Sequence, residues 1–205
     1  MSTSLLRALV VGSALLASTA FAEIKDLNTT VDLGKLPADL KFKGKAQSGL
    51  SWKDNNGENY VIFSVTENKD AKKGLSSVYL YADHFAIKDG KVTVLRNVKD
   101  MTEKCEFDNM AKFLDNSFEV TDLDSDGLGE VSFAYTLDCV SDVSPITLKV
   151  LLLENKDKYI ARGTTEVNPG DGVIGGKKTP DAALKKAPKG FQDQTDSVWK
   201  KVVRR

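Results

Sequence analysis

Residues 118–133 read Phe-Glu-Val-Thr-Asp-Leu-Asp-Ser-Asp-Gly-Leu-Gly-Glu-Val-Ser-Phe: a β-forming run, a turn of acids and glycines, and a second β-forming run. Val120 and Thr121 lead in and Val131, Ser132 and Phe133 lead out, so the stretch reads as strand, turn, strand. Inside the turn, Asp122, Asp124 and Asp126 take alternate positions ahead of Gly127, and Glu130 follows. Alternation lets one sharp bend aim three carboxylates at a point, and Gly127 supplies the backbone freedom such a bend needs. Acids crowded in this way repel unless a hard cation neutralises them, and oxygen-only ligands suit Ca²⁺. The candidate ligands are Asp122, Asp124, Asp126, the Leu128 carbonyl and Glu130, with the ion fixing the loop rather than doing chemistry. A solvated turn accounts for the same composition, because Asp, Ser and Gly are turn residues in their own right.

Outward from this loop, the chain from Leu50 to Val167 is a series of short β-rich runs. Tyr60 to Val65 follow Asp54-Asn55-Asn56-Gly57. Val78 to Tyr81 and His84 to Ile87 precede Asp89-Gly90, a strong hairpin signal, and then Val92 to Leu95. Ile146 to Leu153 and Tyr159 to Val167 flank another turn at Asn155 to Lys158. Sliding the chain by 70 residues lays Asp54 on Asp124, Asn56 on Asp126, Gly57 on Gly127, Val61 on Val131 and Phe63 on Phe133. The same offset lays Val78 on Leu148 and Leu80 on Val150. Either common β and turn residues align by chance, or the chain holds two copies of a strand–acidic turn–strand–hairpin unit, about 50–100 and 118–167. In the first copy Trp52 replaces Asp122 and Tyr60 replaces Glu130, so that copy keeps the turn and loses the ion ligands. Two units are too few for a propeller. The expected fold is therefore mainly β, with antiparallel sheets in two pseudo-repeated units, a sandwich or partial propeller, and a short C-terminal helix.

The flanks are less periodic. Residues 23–47 open the β domain (23–167) with little pattern, though Val31-Asp32-Leu33 suggests an edge strand, and Phe107 to Leu114 suggests a helical turn. Residues 168–190 read as a linker, with Pro169, close glycines and Pro180. Within 191–205, Phe191, Val198, Trp199 and Val202 recur at helical spacing, which fits a docked amphipathic helix.

Residues 1–22 carry Arg7, an apolar run from Ala8 to Ala17, and Ala20-Phe21-Ala22 before Glu23. A positive start, a short hydrophobic centre and an A-x-A end make a cleavable secretory signal, so the mature chain is expected in the periplasm or outside the cell. The apolar run is too short to span a bilayer, and no transmembrane segment is expected in the mature chain. In an oxidising compartment Cys105 and Cys139, the only cysteines, are expected to form one disulfide. Their acidic neighbours Glu106, Asp108, Asp138 and Asp142 would raise a thiol pKa, which disfavours a reactive thiol. Lys plus Arg and Asp plus Glu number 29 each, so no global field recruits nucleic acid.

The twelfth position counted from Asp122 is Phe133, in a strand, where an EF-hand needs a bidentate acid. With strands on both sides and Glu130 at the ninth position, the loop instead resembles the DxDxDG loops of FG-GAP and VCBS repeats, secreted calcium-binding β modules. More broadly, Cys105 to Asp108, Val120 to Gly127, Glu130 to Phe133, Cys139, Ser141 to Pro145 and Tyr159 to Gly163 resemble a family of uncharacterised bacterial exported proteins. Some members carry the label of surface polysaccharide biosynthesis. That resemblance implies that disulfide and acidic loop belong to one local structure, with Asp142 near the same surface.

Catalytic candidates are few. His84 is the only histidine, so any nucleophilic triad would be built on it, and no nucleophile elbow, P-loop or dinucleotide fingerprint is present. The sequence thus points to an exported non-catalytic β domain that binds an envelope glycan or another exported protein. The alternatives are a periplasmic immunity or inhibitor protein against a toxin or hydrolase, and a glycoside hydrolase built on a carboxylate pair.

Overall fold

The computed structural model describes residues 24–170 and 172–204; the expected signal segment lies outside the described residues. Five antiparallel strands follow one another into a first sheet: β1 (Lys25–Thr30), β2 (Lys45–Asp54), β3 (Gly57–Asp70), β4 (Leu75–Lys88) and β5 (Lys91–Cys105). The β4–β5 turn is Asp89-Gly90, with φ of 52° and 74°. Two successive left-handed residues match the twist of a tight hairpin.

The chain then builds a second sheet. Its strands are β7 (Lys112–Phe113), β8 (Glu119–Thr121), β9 (Glu130–Leu137), β11 (Thr147–Glu154), β12 (Asp157–Thr164) and β15 (Lys178–Pro180). The order is β15-β12-β11-β9-β7, with β8 beside the first residues of β9. Between them, the short strand β6 (Asp108–Asn109) pairs with β10 (Cys139–Val140), and β13 (Glu166–Val167) pairs with β14 (Ile174–Gly175). Two helices close the chain, α1 (Ala182–Lys186) and α2 (Lys189–Val202).

The sheets pack face to face. Leu50, Trp52, Val61, Phe63 and Leu80 from the first meet Val120, Val131, Phe133, Leu151 and Leu153 from the second. Phe63 is the hub: it stacks on Phe118 at 4.1 Å and turns its edge to Phe113 and Phe133. On the far side of the second sheet, Val198, Trp199 and Val202 of α2 cover Ala134, Leu148, Val150 and Ala161. On the far side of the first, Leu36, Leu40 and Phe42 lie over Ile62 and Phe85. With both faces covered, β9 is buried at every position.

The two sheets share their opening register. Leu50 pairs Val61 and Ser51 pairs Tyr60; 70 residues on, Val120 pairs Val131 and Thr121 pairs Glu130. The correspondence then slips by one. Thr66 pairs Tyr79, whereas Thr136 pairs Leu148. Side chains alternate with period two, so a one-residue slip exchanges faces. Val78 and Leu80 accordingly point between the sheets, while Leu148 and Val150 point at α2, and the fixed offset does not carry through these strands.

Several sequence expectations are corrected. The N-terminal edge strand is Lys25–Thr30, and Leu33–Lys35 is a 3₁₀ turn capped by the Asp32 carboxylate, which accepts from Gly34 N. Phe107 to Leu114 forms β6 and β7 rather than a helical turn. The 168–190 stretch is not simply a linker but contains β14, β15 and α1. Its backbone is received by a glycine: a Cβ on Gly163 would lie 1.6 Å from the Lys177 carbonyl oxygen. Pro180 lies in an edge strand, where its missing N–H costs nothing.

Candidate metal centre

Glu130 opens β9 and is fully buried. Its Oε2 accepts from Thr121 Oγ1 at 3.0 Å and from Leu123 N at 2.9 Å, while Oε1 is sealed from solvent with no hydrogen-bond partner. Between Thr121 and Glu130 the chain turns through Ser125 and Gly127, both with positive φ, 59° and 79°. Asp124 Oδ1 accepts from Asp126 N, and Asp126 Oδ1 accepts from Leu128 N at 2.8 Å. These bonds hold the acids on the inside of the bend. Asp122 Oδ1 is likewise buried and unpartnered.

A further carboxylate arrives from outside the loop. Glu154 ends β11 and pairs Glu130 in register, so the two side chains share a face at the same end of the sheet. Its Oε1 is also buried without a partner. Asp122, Asp124 and Glu130 each offer an oxygen within 4.8 Å of the others, and so do Asp124, Asp126 and Glu154. Calcium–oxygen bonds of about 2.3–2.6 Å put ligands on one ion up to roughly 5 Å apart, so either group can hold a metal ion.

The electrostatics agree with the donor set. Burial pushes Glu130 up to about 8, against the bonds from Leu123 and Thr121, and the charges of Glu154 and Asp124 push the same way. Burial also raises Glu154, to about 7, helped by Asp124, Asp126, Asp157 and Asp122. Asp124 is raised by burial and then by Asp126. None of the ion pairs found among the described residues involves these five carboxylates.

The turn of the first sheet at Asp54 to Gly57 lies directly against the acidic loop. Asn55 donates from its backbone N to Gly127 O at 3.0 Å and from Nδ2 to Asp126 O at 3.3 Å. Gly129 N donates back to Asp54 Oδ2 at 3.0 Å, an oxygen that also accepts from Trp52 Nε1 at 2.8 Å. Asp54 Oδ1 accepts from Asn56 N at 2.7 Å, the same i to i+2 bond that Asp124 makes with Asp126. The indole of Trp52 lies so close that a Cβ on Gly129 would come within 2.2 Å of its Nε1. Asp54 thus holds a neighbouring loop in place where its counterpart Asp124 faces other acids.

Cys105 and Cys139 form the expected disulfide, which joins the end of β5 to β10. It does not share a local structure with the acidic loop, as the family resemblance implied. Glu130 begins β9 and Cys139 lies beyond its other end, about 24 Å of strand away at roughly 3.4 Å per residue. Asp142 is at the disulfide end too, exposed, accepting from Ser144 Oγ at 2.6 Å.

His84 lies inside β4, between the sheets. Its Nε2 meets Asn59 Oδ1 at 3.1 Å, and its ring is 5.1 Å from that of Trp52. Burial drives its pKa down to about 3, so it is neutral at pH 7. On the outer face of the first sheet, a groove of about 280 Å³ is lined by Phe42, Lys43, Tyr81, Asp83, Asn97 and Lys99, among others. Asp83 is buried there, and Asn97 Nδ2 donates to it.

No protein-family model, curated protein or solved structure matches this chain.

Proposed function

We propose that this chain is an exported, non-catalytic β domain whose acidic loop binds Ca²⁺ as a structural ion, and which binds an envelope glycan or another exported protein. The observation that carries the ion is Glu130: a fully buried carboxylate with an unpartnered oxygen, beside Asp122 and Asp124. A protein that buries a charge must pair it or let it protonate, and a divalent cation with oxygen ligands is the pairing this donor set suits. The FG-GAP and VCBS resemblance of residues 118–133 supports the choice of calcium. A glycosidase acid must touch its substrate, and the burial of Glu130 weighs against that use. The groove at Tyr81 supports a glycan ligand, since an aromatic ring beside a bonded carboxylate and amide offers a sugar a stacking face and fixed polar partners.

Thermal melting in millimolar Ca²⁺ and in chelator tests the ion, and equal midpoints would refute it. Retention of the mature protein on immobilised envelope glycan, lost in Tyr81→Ala with melting unchanged, tests the ligand. Capture of a secreted toxin or hydrolase with loss of the captured protein's activity would instead support the inhibitor reading.

A further inference from the structure

Three lysines from two separate parts of the chain meet at the groove on the outer face of the first sheet. Lys41 and Lys43 flank Phe42 in the segment laid over Ile62 and Phe85, and Lys99 of β5 is the register partner of Tyr81. Each is held there by a contact of its own. Lys41 Nζ donates to Ala38 O at 2.7 Å, and an ammonium group has two further donors. The backbone of Lys43 is pinned by Ser64 Oγ, which donates to its carbonyl at 2.6 Å. Lys99 Nζ lies 5.0 Å from the centre of the Tyr79 ring, and Tyr79 in turn donates from its hydroxyl to Glu103 Oε1 at 2.5 Å. None of the ion pairs found among the described residues involves Lys41, Lys43 or Lys99. The single acid lining the groove is Asp83, which is 5 % exposed and bonded by Asn97. Burial raises its pKa against the pull of Asn97 and Lys43, so it sets at most one negative charge against three positive ones.

We propose that this groove binds an acidic glycan, with a sugar ring stacked on Tyr81, its hydroxyls on Asp83 and Asn97, and its negatively charged groups on Lys41, Lys43 and Lys99. The inference rests on the glycan reading of the groove and deepens it. A neutral sugar uses Tyr81 and the Asp83–Asn97 pair and leaves three ammonium groups facing it without a counter-charge. An acidic one uses both sets, which is the complementarity that selects among ligands of similar shape. The excess is local: acids and bases balance at 29 each along the whole chain, so attraction of a polyanion is a property of this face and not of the protein's overall field. At about 280 Å³ the groove lies at the small end of ligand sites, so it seats a sugar unit or two, with the rest of the glycan running out over the sheet.

The test is a panel of immobilised oligosaccharides probed with the mature protein. Oligomers of galacturonate and of mannuronate are the acidic members, oligomers of glucose and of N-acetylglucosamine the neutral ones, and polyglutamate an anion without sugar. Retention on the acidic oligosaccharides above both other classes is expected, falling as salt rises. Lys43→Gln and Lys99→Gln should each weaken it by about tenfold, the worth of one hydrogen bond to a charged group, with melting unchanged. Lys91→Gln, at the other end of β5, should leave it intact. Retention on the neutral members alone, or equally on neutral and acidic ones, would overturn the acidic class and leave the glycan reading standing; retention on none would overturn both. Equal retention on polyglutamate would mean plain ion exchange and refute the site. Acidic-glycan binding unaltered by Lys43→Gln and Lys99→Gln, or weakened as much by Lys91→Gln, would place it elsewhere on the molecule.

Discussion

Replacing Glu130 with glutamine should have opposite effects with and without calcium. The folded protein in chelator holds Glu130 at about 8 against an ordinary 4.5, because its carboxylate is buried. For an acid whose folded pKa is raised, the cost is absent below the unfolded value and grows as pH rises towards the folded one. At pH 7, keeping the proton on a group of unfolded pKa 4.5 costs 2.5 units at 1.36 kcal/mol each, or about 3 kcal/mol. Glutamine has nearly the same shape and does not titrate, so Glu130→Gln removes that cost. Its amide nitrogen cannot accept, and weaker bonds to Thr121 and Leu123 return about 1 kcal/mol of the gain. The net expectation in chelator is a variant roughly 2 kcal/mol more stable than wild type, about 4–8 °C in Tm for a domain of this size. In millimolar Ca²⁺ the order should narrow or reverse. Wild type gains about 1.4 kcal/mol at ten times its dissociation constant, whereas the variant, short of a ligand charge, gains less. Calorimetric melting of both proteins at pH 7, in chelator and in calcium, measures all four values. If Glu130→Gln is destabilised equally under both conditions, Glu130 is an ordinary buried polar group and the reasoning fails.

Asp54→Ala removes the acceptor shared by Trp52, Asn56 and Gly129, and should cost about 1–3 kcal/mol while leaving the Ca²⁺-induced melting shift intact, whereas Asp124→Asn should shrink that shift. Reducing the Cys105–Cys139 bond, with its separation of 34 residues, should lower stability by roughly 4 kcal/mol on the chain-entropy model, and thiol labelling of denatured, unreduced protein should find no free cysteine. His84, held near 3, should show no imidazole titration by NMR between pH 8 and 4.5. Because the unfolded chain takes up that proton and the folded one does not, its contribution to stability should decline as pH falls below about 6.5. Mass spectrometry of the exported protein should place the mature N-terminus at or within a few residues of Glu23.

The acidic loop was legible because its chemistry is local: alternate acids, a glycine and flanking β-formers all fall within 118–133. Glu154 was not, although its position is set by simple geometry. It becomes a neighbour of Glu130 only through the β9–β11 register, and nothing within the loop announces an acid 24 residues further on. The equivalence of the two turns was readable for a related reason. The register of β2 with β3 and of β8 with β9 depends on one short turn each, and the residues of those turns correspond. The slip between β4 and β11 arises in the connections 71–74 and 138–146, which differ in length and share no local signal to fix register. Glycine misled in 168–190 because it marks close approach as well as freedom. A Cβ on Gly175 would lie 2.2 Å from the Thr165 carbonyl oxygen, which makes it a packing contact. His84 and the clasp at Asp54 depend on one sheet facing the other, a relation that no window along the chain contains.

The covering of β9 by α2 has a consequence for how the molecule is made. The second sheet can be hydrogen-bonded once Pro180 is available, but Ala134, Leu148, Val150 and Ala161 then still face water. The residues that shield them, Leu184, Val198, Trp199, Val202 and Val203, come later in the chain than every strand of the sheet. Until they dock, the second sheet presents an aliphatic surface of the kind that joins to other sheets. A chain cut at Trp199 would therefore keep every strand of the second sheet and lose much of its solubility.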